Sequence, residues 1–180
     1  MFIIVEGIDG SGKSGLITSL ANYYSNYTVA DIRQQWEKVD KKNVDSRKQF
    51  FIDYFENNKN KNLLIDRFHL SEVVYGITLK RNEIDLFEFE KQIFGNDISK
   101  VILIVVDVHE TDALKRIKAR DGKDELQNLA IDRNTFSSKF QDSEIPRKLF
   151  IYNSKFEKLE EYVKDYIESH CGVVGKTLGK

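Results

Sequence analysis

An apolar run, residues 2–5, passes through Glu6 directly into Gly7-Ile8-Asp9-Gly10-Ser11-Gly12-Lys13-Ser14. A strand, a loop of the form Gly, four residues, Gly, Lys, Ser, and a helix-patterned segment behind it leave few folds open to the chain. Each part of the loop has a physical task. Glycine allows the backbone to wrap around an anion at dihedrals that other residues avoid. The amides that open the helix point inward, and the positive end of the helix dipole favours the same anion. Gly10, Ser11, Gly12, Lys13, Ser14 and Gly15 are therefore the expected ATP-binding residues. Lys13 is expected to hold its charge exposed in a cleft, within reach of the β- and γ-phosphates, and Ser14 is the expected Mg²⁺ ligand.

The rest of the chain reads as an α/β protein. Residues 62–65, 101–106 and 148–152 are further continuous apolar strands, and 27–33 is a weaker fifth. Strands that are apolar throughout, rather than at alternate positions, suit a parallel sheet covered on both faces. Helical spacing appears over 12–24, 46–55, 70–79, 83–94, 111–119 and 154–167. Thr111 and Ser154 read as N-caps, the latter with Glu157 three residues on. Alternating strands and helices predict a doubly wound, five-stranded parallel sheet. Residues 1–170 form one domain in this reading, with a short lid near 116–130 and a flexible tail over 171–180.

Ligands gather at the carboxyl ends of the strands in such a sheet. Two acids stand there, Asp66 and Asp107, as candidates to hold a metal ion or orient a nucleophile. Asp66 is followed by Arg67, Ser71 and Tyr75, and Arg116 and Arg120 lie one turn apart on a later helix. Arginine suits phosphoryl transfer because its planar fork pairs two phosphate oxygens at once. Lys115 and Lys118 on the same helix also allow a solvated basic face. His69 reads as a packing or surface residue. Trp36 reads as core or as acceptor-site lining.

Taken together, these segments resemble the thymidylate kinase family. Residues 2–14 look like that family's opening, Asp66-Arg67-Phe68 with Ser71 and Tyr75-Gly76 resembles its second signature, and Val105-Val106-Asp107 followed by Arg116 and Arg120 resembles its strand and lid helix. The resemblance implies a nucleoside-monophosphate kinase fold, with ATP as phosphate donor, Mg²⁺, a small nucleotide acceptor (dTMP foremost) and a homodimer. It implies that Asp9 touches the acceptor sugar, that Arg67 holds the acceptor phosphate with help from Arg33, that Tyr75 lines the acceptor pocket, and that Phe51 stacks on the base or belongs to the core. With the loop and strand-end readings, Lys13, Asp66, Arg67, Arg116 and Arg120 are expected to carry catalysis, with Ser14 and Asp66 at the metal. The chain departs from the family at Gly76, where a glutamine usually follows the tyrosine, and near Phe51, where an arginine is missing.

Composition excludes some partners. The 180 residues are 41% hydrophobic and 32% charged, with a net charge of -1, so no broad basic surface for nucleic acid is expected. No stretch approaches the roughly 20 apolar residues that span a bilayer, and the start lacks the basic lead-in of a signal peptide. The single Cys171 fits a reducing cytosol. Frequent Lys, Asn, Ile, Phe and Tyr with one proline suggest an AT-rich genome, such as that of a virus or a parasite. Two other functions stay open: a deoxynucleoside kinase, with Asp66-Arg67 acting on a sugar hydroxyl, and a non-catalytic nucleotide-binding module. The guanine-reading Asn-Lys-x-Asp sequence is absent.

Overall fold

The computed structural model describes residues 1–122, 128–153 and 156–172. Five strands, β1 (Phe2–Glu6), β2 (Thr28–Ala30), β3 (Leu63–Asp66), β4 (Val101–Asp107) and β5 (Lys148–Tyr152), form one all-parallel sheet in the order β2-β3-β1-β4-β5. The doubly wound reading therefore holds. The helices are α1 (Lys13–Tyr23), α2 (Arg33–Trp36), α3 (Val44–Asn58), α4 (His69–Thr78), α5 (Leu86–Phe94), α6 (Glu110–Asp121), α7 (Leu129–Asp142) and α8 (Phe156–Cys171). A 3₁₀ segment, Gly95–Lys100, leads into β4.

Strand alternation divides the interior in two. Phe2, Ile4, Leu63, Ile65, Val101, Leu103 and Val105 face one core, together with Phe51 and Phe55 of α3, Phe89 of α5 and Phe136 of α7. Ile3, Val5, Leu64, Ile102, Ile104 and Val106 face the other, against Leu16 and Leu20 of α1 and Leu159, Val163 and Ile167 of α8. Every residue of β1 and β4 is buried, as a central strand between two helical layers must be. β2 is an edge strand with Val29 exposed, which explains its weaker sequence signal.

Two expectations are corrected. The stretch 27–33 is strand only over Thr28–Ala30, and Arg33 opens the short helix α2. Helix α7 was not predicted at all. Its buried positions are Leu129, Asp132, Phe136 and Phe140, while Ile131 is exposed. A carboxylate in a buried slot and an isoleucine in a solvated one blur the periodicity that reveals a helix. The cap of α6 also differs, because His109 accepts from the Thr111 amide and Thr111 lies inside the first turn. The expected lid segment 116–130 begins as the end of α6 and ends as the start of α7. Ser154, residues 123–127 of that segment and residues 173–180 of the expected tail fall outside the described residues.

Candidate active site

The loop between β1 and α1 is held by backbone contacts that only glycine permits. Gly7 has φ 132°, and a Cβ there would lie 2.2 Å from the Val106 carbonyl oxygen at the end of β4. Gly10 has φ 76°, and its Cβ would lie 2.6 Å from the Ala113 carbonyl oxygen on α6. These glycines serve close approach to neighbouring elements as well as the wrap around an anion. Ser11, expected at the phosphates, is fully buried behind the loop. Its carbonyl accepts from Asn153 Nδ2 at 2.6 Å and Arg116 Nη1 at 3.4 Å.

Lys13 differs from expectation. It is 5% exposed, and Nζ donates to the loop's own Ile8 carbonyl at 2.7 Å and to Ser11 Oγ at 3.4 Å. Burial is the main cause that lowers its pKa to about 7. Arg67 acts in the same direction, and Asp66, Asp9 and Glu6 oppose both. Its nitrogen is thus gripped by the loop it serves rather than free in a cleft.

Beside the loop, a cavity of ≈ 460 Å³ is lined by Gly10, Gly12, Lys13, Ser14 and Gly15 on one wall and by Arg116 and Arg120 on another. Arg116 Nη1 reaches the Gly10 carbonyl at 3.2 Å. Arg120, 62% exposed at its side chain, forks onto Asp121 at 2.7 and 2.8 Å. Helix α6 therefore presents both arginines to one space. Ser14 Oγ donates to Asp66 Oδ2 at 3.0 Å, and Asp66 Oδ1 is buried with no hydrogen-bond partner among the described residues. A serine hydroxyl and a carboxylate with an unused oxygen form a hard-oxygen donor set that suits Mg²⁺.

A second, more apolar cavity of ≈ 200 Å³ adjoins the first. Ile32, Trp36, Phe51 and Phe68 supply its apolar lining, with Tyr75, Glu72 and Arg81 as polar groups. Phe51 belongs to the core and also borders the cavity. It is 2% exposed and packs on Trp36 and Phe68 with centroids 5.2 and 4.9 Å away, yet it also lines the cavity.

Arg67 joins the two spaces. Its Nη1 donates to the Gly7 carbonyl at 2.8 Å and the Tyr75 hydroxyl at 2.8 Å, and its Nη2 to Asp9 Oδ1 at 2.6 Å. It sits at φ 65°, a region that costs a non-glycine residue of order 1–3 kcal/mol. Backbone strain of this kind clusters at functional sites. Burial raises the Tyr75 pKa against the opposing pull of Arg67, so the phenol keeps its proton. Partial burial raises the Asp9 pKa, but Arg67 and Lys13 outweigh it and hold the carboxyl below its usual value. Arg33 lines both cavities as well. It pairs with Asp31 at 2.8 Å, with side chains 75% and 51% exposed, a contact that solvent weakens.

Several supports were not foreseen. Glu6 is fully buried and accepts from the Phe68 and Ser71 amides at 2.8 and 3.1 Å and from the Ser71 hydroxyl. It caps α4 from β1, since Phe68 at the N-cap offers no side-chain bond. Arg47 of α3 is buried against Glu72, and its Nη1 lies 3.8 Å from where a Gly76 Cβ would stand. Asp107 is not poised for metal: Arg133 of α7 grips both its oxygens at 2.7 and 2.8 Å. His69 is a packing residue, fully buried, 2.9 Å from Glu90 and edge-on to Phe94.

No protein-family model matches the sequence, and no curated protein matches it. Solved structures do match its fold. The YorR protein of Bacillus subtilis, in complex with phosphorylated GDP, superposes with a TM-score of 0.72 at 17% identity, over 93% of this chain and 96% of that one. Deoxyadenosine kinase from M. mycoides with bound dCTP gives 0.61 at 18%, over 94% and 100%. Thymidylate kinase from Candida albicans gives 0.57 at 15%, over 93% and 91%. The fold is that of P-loop nucleoside and nucleotide kinases.

Proposed function

We propose that the protein transfers the γ-phosphoryl group of Mg-ATP to a deoxynucleoside monophosphate, with dTMP as the leading acceptor, giving the diphosphate. The observation that carries this reading is the junction of the two cavities. Arg33, Asp66 and Arg67 are common to both linings. One side of the junction is a glycine-lined anion loop, and the other is an aromatic-walled slot suited to a flat base. Two guanidinium groups stand where an acceptor phosphate and a donor phosphate would meet.

The chemistry needs positioning and neutralisation more than covalent help. An acceptor phosphate oxygen attacks Pγ, the bond to the β–γ bridging oxygen breaks, and ADP leaves with the electron pair. Lys13 and the loop amides hold the donor phosphates, and Arg116 and Arg120 face the charge that spreads over the transferred group. Arg67, fixed by Gly7 and Asp9, and Arg33, held only by a solvent-weakened pair, receive the acceptor phosphate. Ser14 and Asp66 would hold Mg²⁺, which when bound neutralises the β- and γ-oxygens.

A second reading is a deoxynucleoside kinase. Asp66 and Arg67, common to both linings, place a strand-end acid at the junction, where it suits the proton of a nucleoside 5′-hydroxyl. A panel of nucleosides and nucleoside monophosphates with Mg-ATP separates the two. Diphosphate formation from a monophosphate is the expected result. Turnover of nucleosides alone overturns the acceptor assignment, and transfer to no member of the panel overturns the kinase reading.

A further inference from the structure

A third cavity, ≈ 200 Å³, lies between α4 and the unforeseen α7, lined by Asp9, Tyr75, Thr78, Leu79, Asn128, Leu129 and Asp132. It shares Asp9 with the phosphate cavity and Tyr75 and Leu79 with the apolar one. A nucleotide has its sugar between phosphate and base, so this compartment adjoins both places that the sugar must connect. Its polar groups are two carboxylates, a phenol, a threonine and an asparagine, a set that takes a hydrogen-bond donor.

Asp132 is the unusual member. It is 8% exposed, and Oδ1 is buried with no hydrogen-bond partner among the described residues. A buried carboxylate oxygen left unpaired costs stability and calls for an explanation. A first-turn acid on a helix normally answers to the helix dipole from a solvated position, and this one is enclosed against the cavity. Asp9, the other carboxylate, already accepts from Arg67 through Oδ1. Asp9 is half-exposed and can turn its other oxygen to solvent, whereas Asp132, which takes a side-chain hydrogen bond from Thr78, keeps Oδ1 buried and unpaired, so Oδ1 is the acceptor that a ligand hydroxyl would satisfy.

We infer that Asp132 is a specificity-determining residue whose Oδ1 accepts the hydrogen bond of the acceptor's sugar 3′-hydroxyl, while Arg67 and Asp9 form the adjoining wall. The inference rests on the phosphotransfer reading above for its substrate. It moves the sugar contact from Asp9, where family resemblance puts it, to α7. Tyr75 packs edge-on to Phe136 of the same helix, with centroids 5.9 Å apart, which keeps the compartment closed on that side.

The test pairs two acceptors with two enzymes. Wild type and Asp132→Ala are assayed with dTMP and with its 3′-deoxy counterpart, or with the matching pair for whichever monophosphate turns over fastest. Asp132→Ala should lower kcat/KM about 10- to 100-fold for the acceptor bearing the hydroxyl, the range of a charge-assisted hydrogen bond. It should leave the 3′-deoxy acceptor and the KM for ATP unchanged. Asp132→Asn, which keeps the shape and loses the charge, should fall between. Equal losses on both acceptors, or no loss on either, overturn the inference. If wild type transfers phosphate to no acceptor, the phosphotransfer reading fails and Asp132 is read by binding alone. The thermal shift given by thymidine over 3′-deoxythymidine should then be present in wild type and absent in Asp132→Ala. The same shift in both proteins, or in neither, overturns the assignment.

Discussion

The loop after β1 is made largely of backbone, whereas the aromatic-walled slot beside it is made of side chains gathered from α2, α3, β3, α4 and the turns next to them. The loop's contacts are carbonyls, amides and missing Cβ atoms within eight consecutive positions, so a short motif carries nearly all of it. The slot needs Trp36, Phe51, Phe68, Tyr75 and Arg81 to meet from distant places, and nothing in their spacing announces that they do. The contrast predicts that damage to the loop should abolish turnover for every acceptor, while damage to the slot should discriminate among them.

Lys13→Ala is the most severe way to sharpen this contrast. It should lower kcat by about 10²–10³-fold, the usual loss when one preorganised donor to transition-state charge is removed, and by the same factor for all acceptors. Circular dichroism should show an intact fold. A near-normal rate would break the assignment. Arg67→Ala comes next. It should reduce kcat/KM for the acceptor by about 10- to 100-fold, as for loss of a hydrogen-bonded charge, with little change in the KM for ATP. A change confined to ATP would put Arg67 on the donor side.

Much of this was legible in the chain and some was not, for physical reasons. The parallel sheet, the loop, Asp66-Arg67 and the α6 arginines could be read because each lies in an unbroken local pattern. Glu6 looked like a strand end, yet it is the cap of α4 across the sheet, a role only tertiary contact creates. Lys13 was expected exposed, but the loop folds its carbonyls around Nζ. Helix α7 escaped because Asp132 breaks its apolar stripe. Local rules tend to fail at functional sites, and that break is a signal in itself. Arg47 could not be recognised as the partner of Glu72, since 25 residues separate them.

A smaller effect should appear in pH. In the free protein Lys13 has its pKa lowered by burial to about 7 from 10.5, and a bound phosphate would raise it again. Below about pH 7 the lysine is already charged, and donor binding needs no proton uptake. Above that, binding takes up a proton, and ATP affinity should fall by up to about tenfold per pH unit. Calorimetry between pH 6 and 9 in two buffers of different ionisation enthalpy would read both the slope and the proton. The same shift works on folding with the opposite trend. The unfolded chain holds the Lys13 proton up to 10.5 and the folded one loses it near 7, so this residue's contribution to stability improves as pH rises through that window. A flat binding profile would mean that Lys13 does not hold the donor phosphates.

Least visible in kinetics should be Arg133→Ala. It should cost about 1.5–3 kcal/mol of unfolding free energy by urea titration, the worth of hydrogen bonds to a charged group. Turnover should change little, because Asp107 belongs to the scaffold. A large loss of kcat with unchanged stability would return Asp107 to the chemistry.

Gly10 touches Ala113, and Arg116 on the same helix donates to the carbonyls of Gly10 and Ser11. Arg120, one turn further along, has no such anchor in the loop and forks onto its exposed neighbour Asp121. Both arginines carry about 2 kcal/mol of rotamer entropy. Arg116 surrenders most of its share once, when the chain folds, whereas Arg120, in the phosphotransfer reading, would surrender its own anew at every turnover. Two residues with the same side chain on one helix thus fall on opposite sides of a thermodynamic line. The first sets how well the resting protein is prepared, and the second sets the entropy that each turnover has to meet.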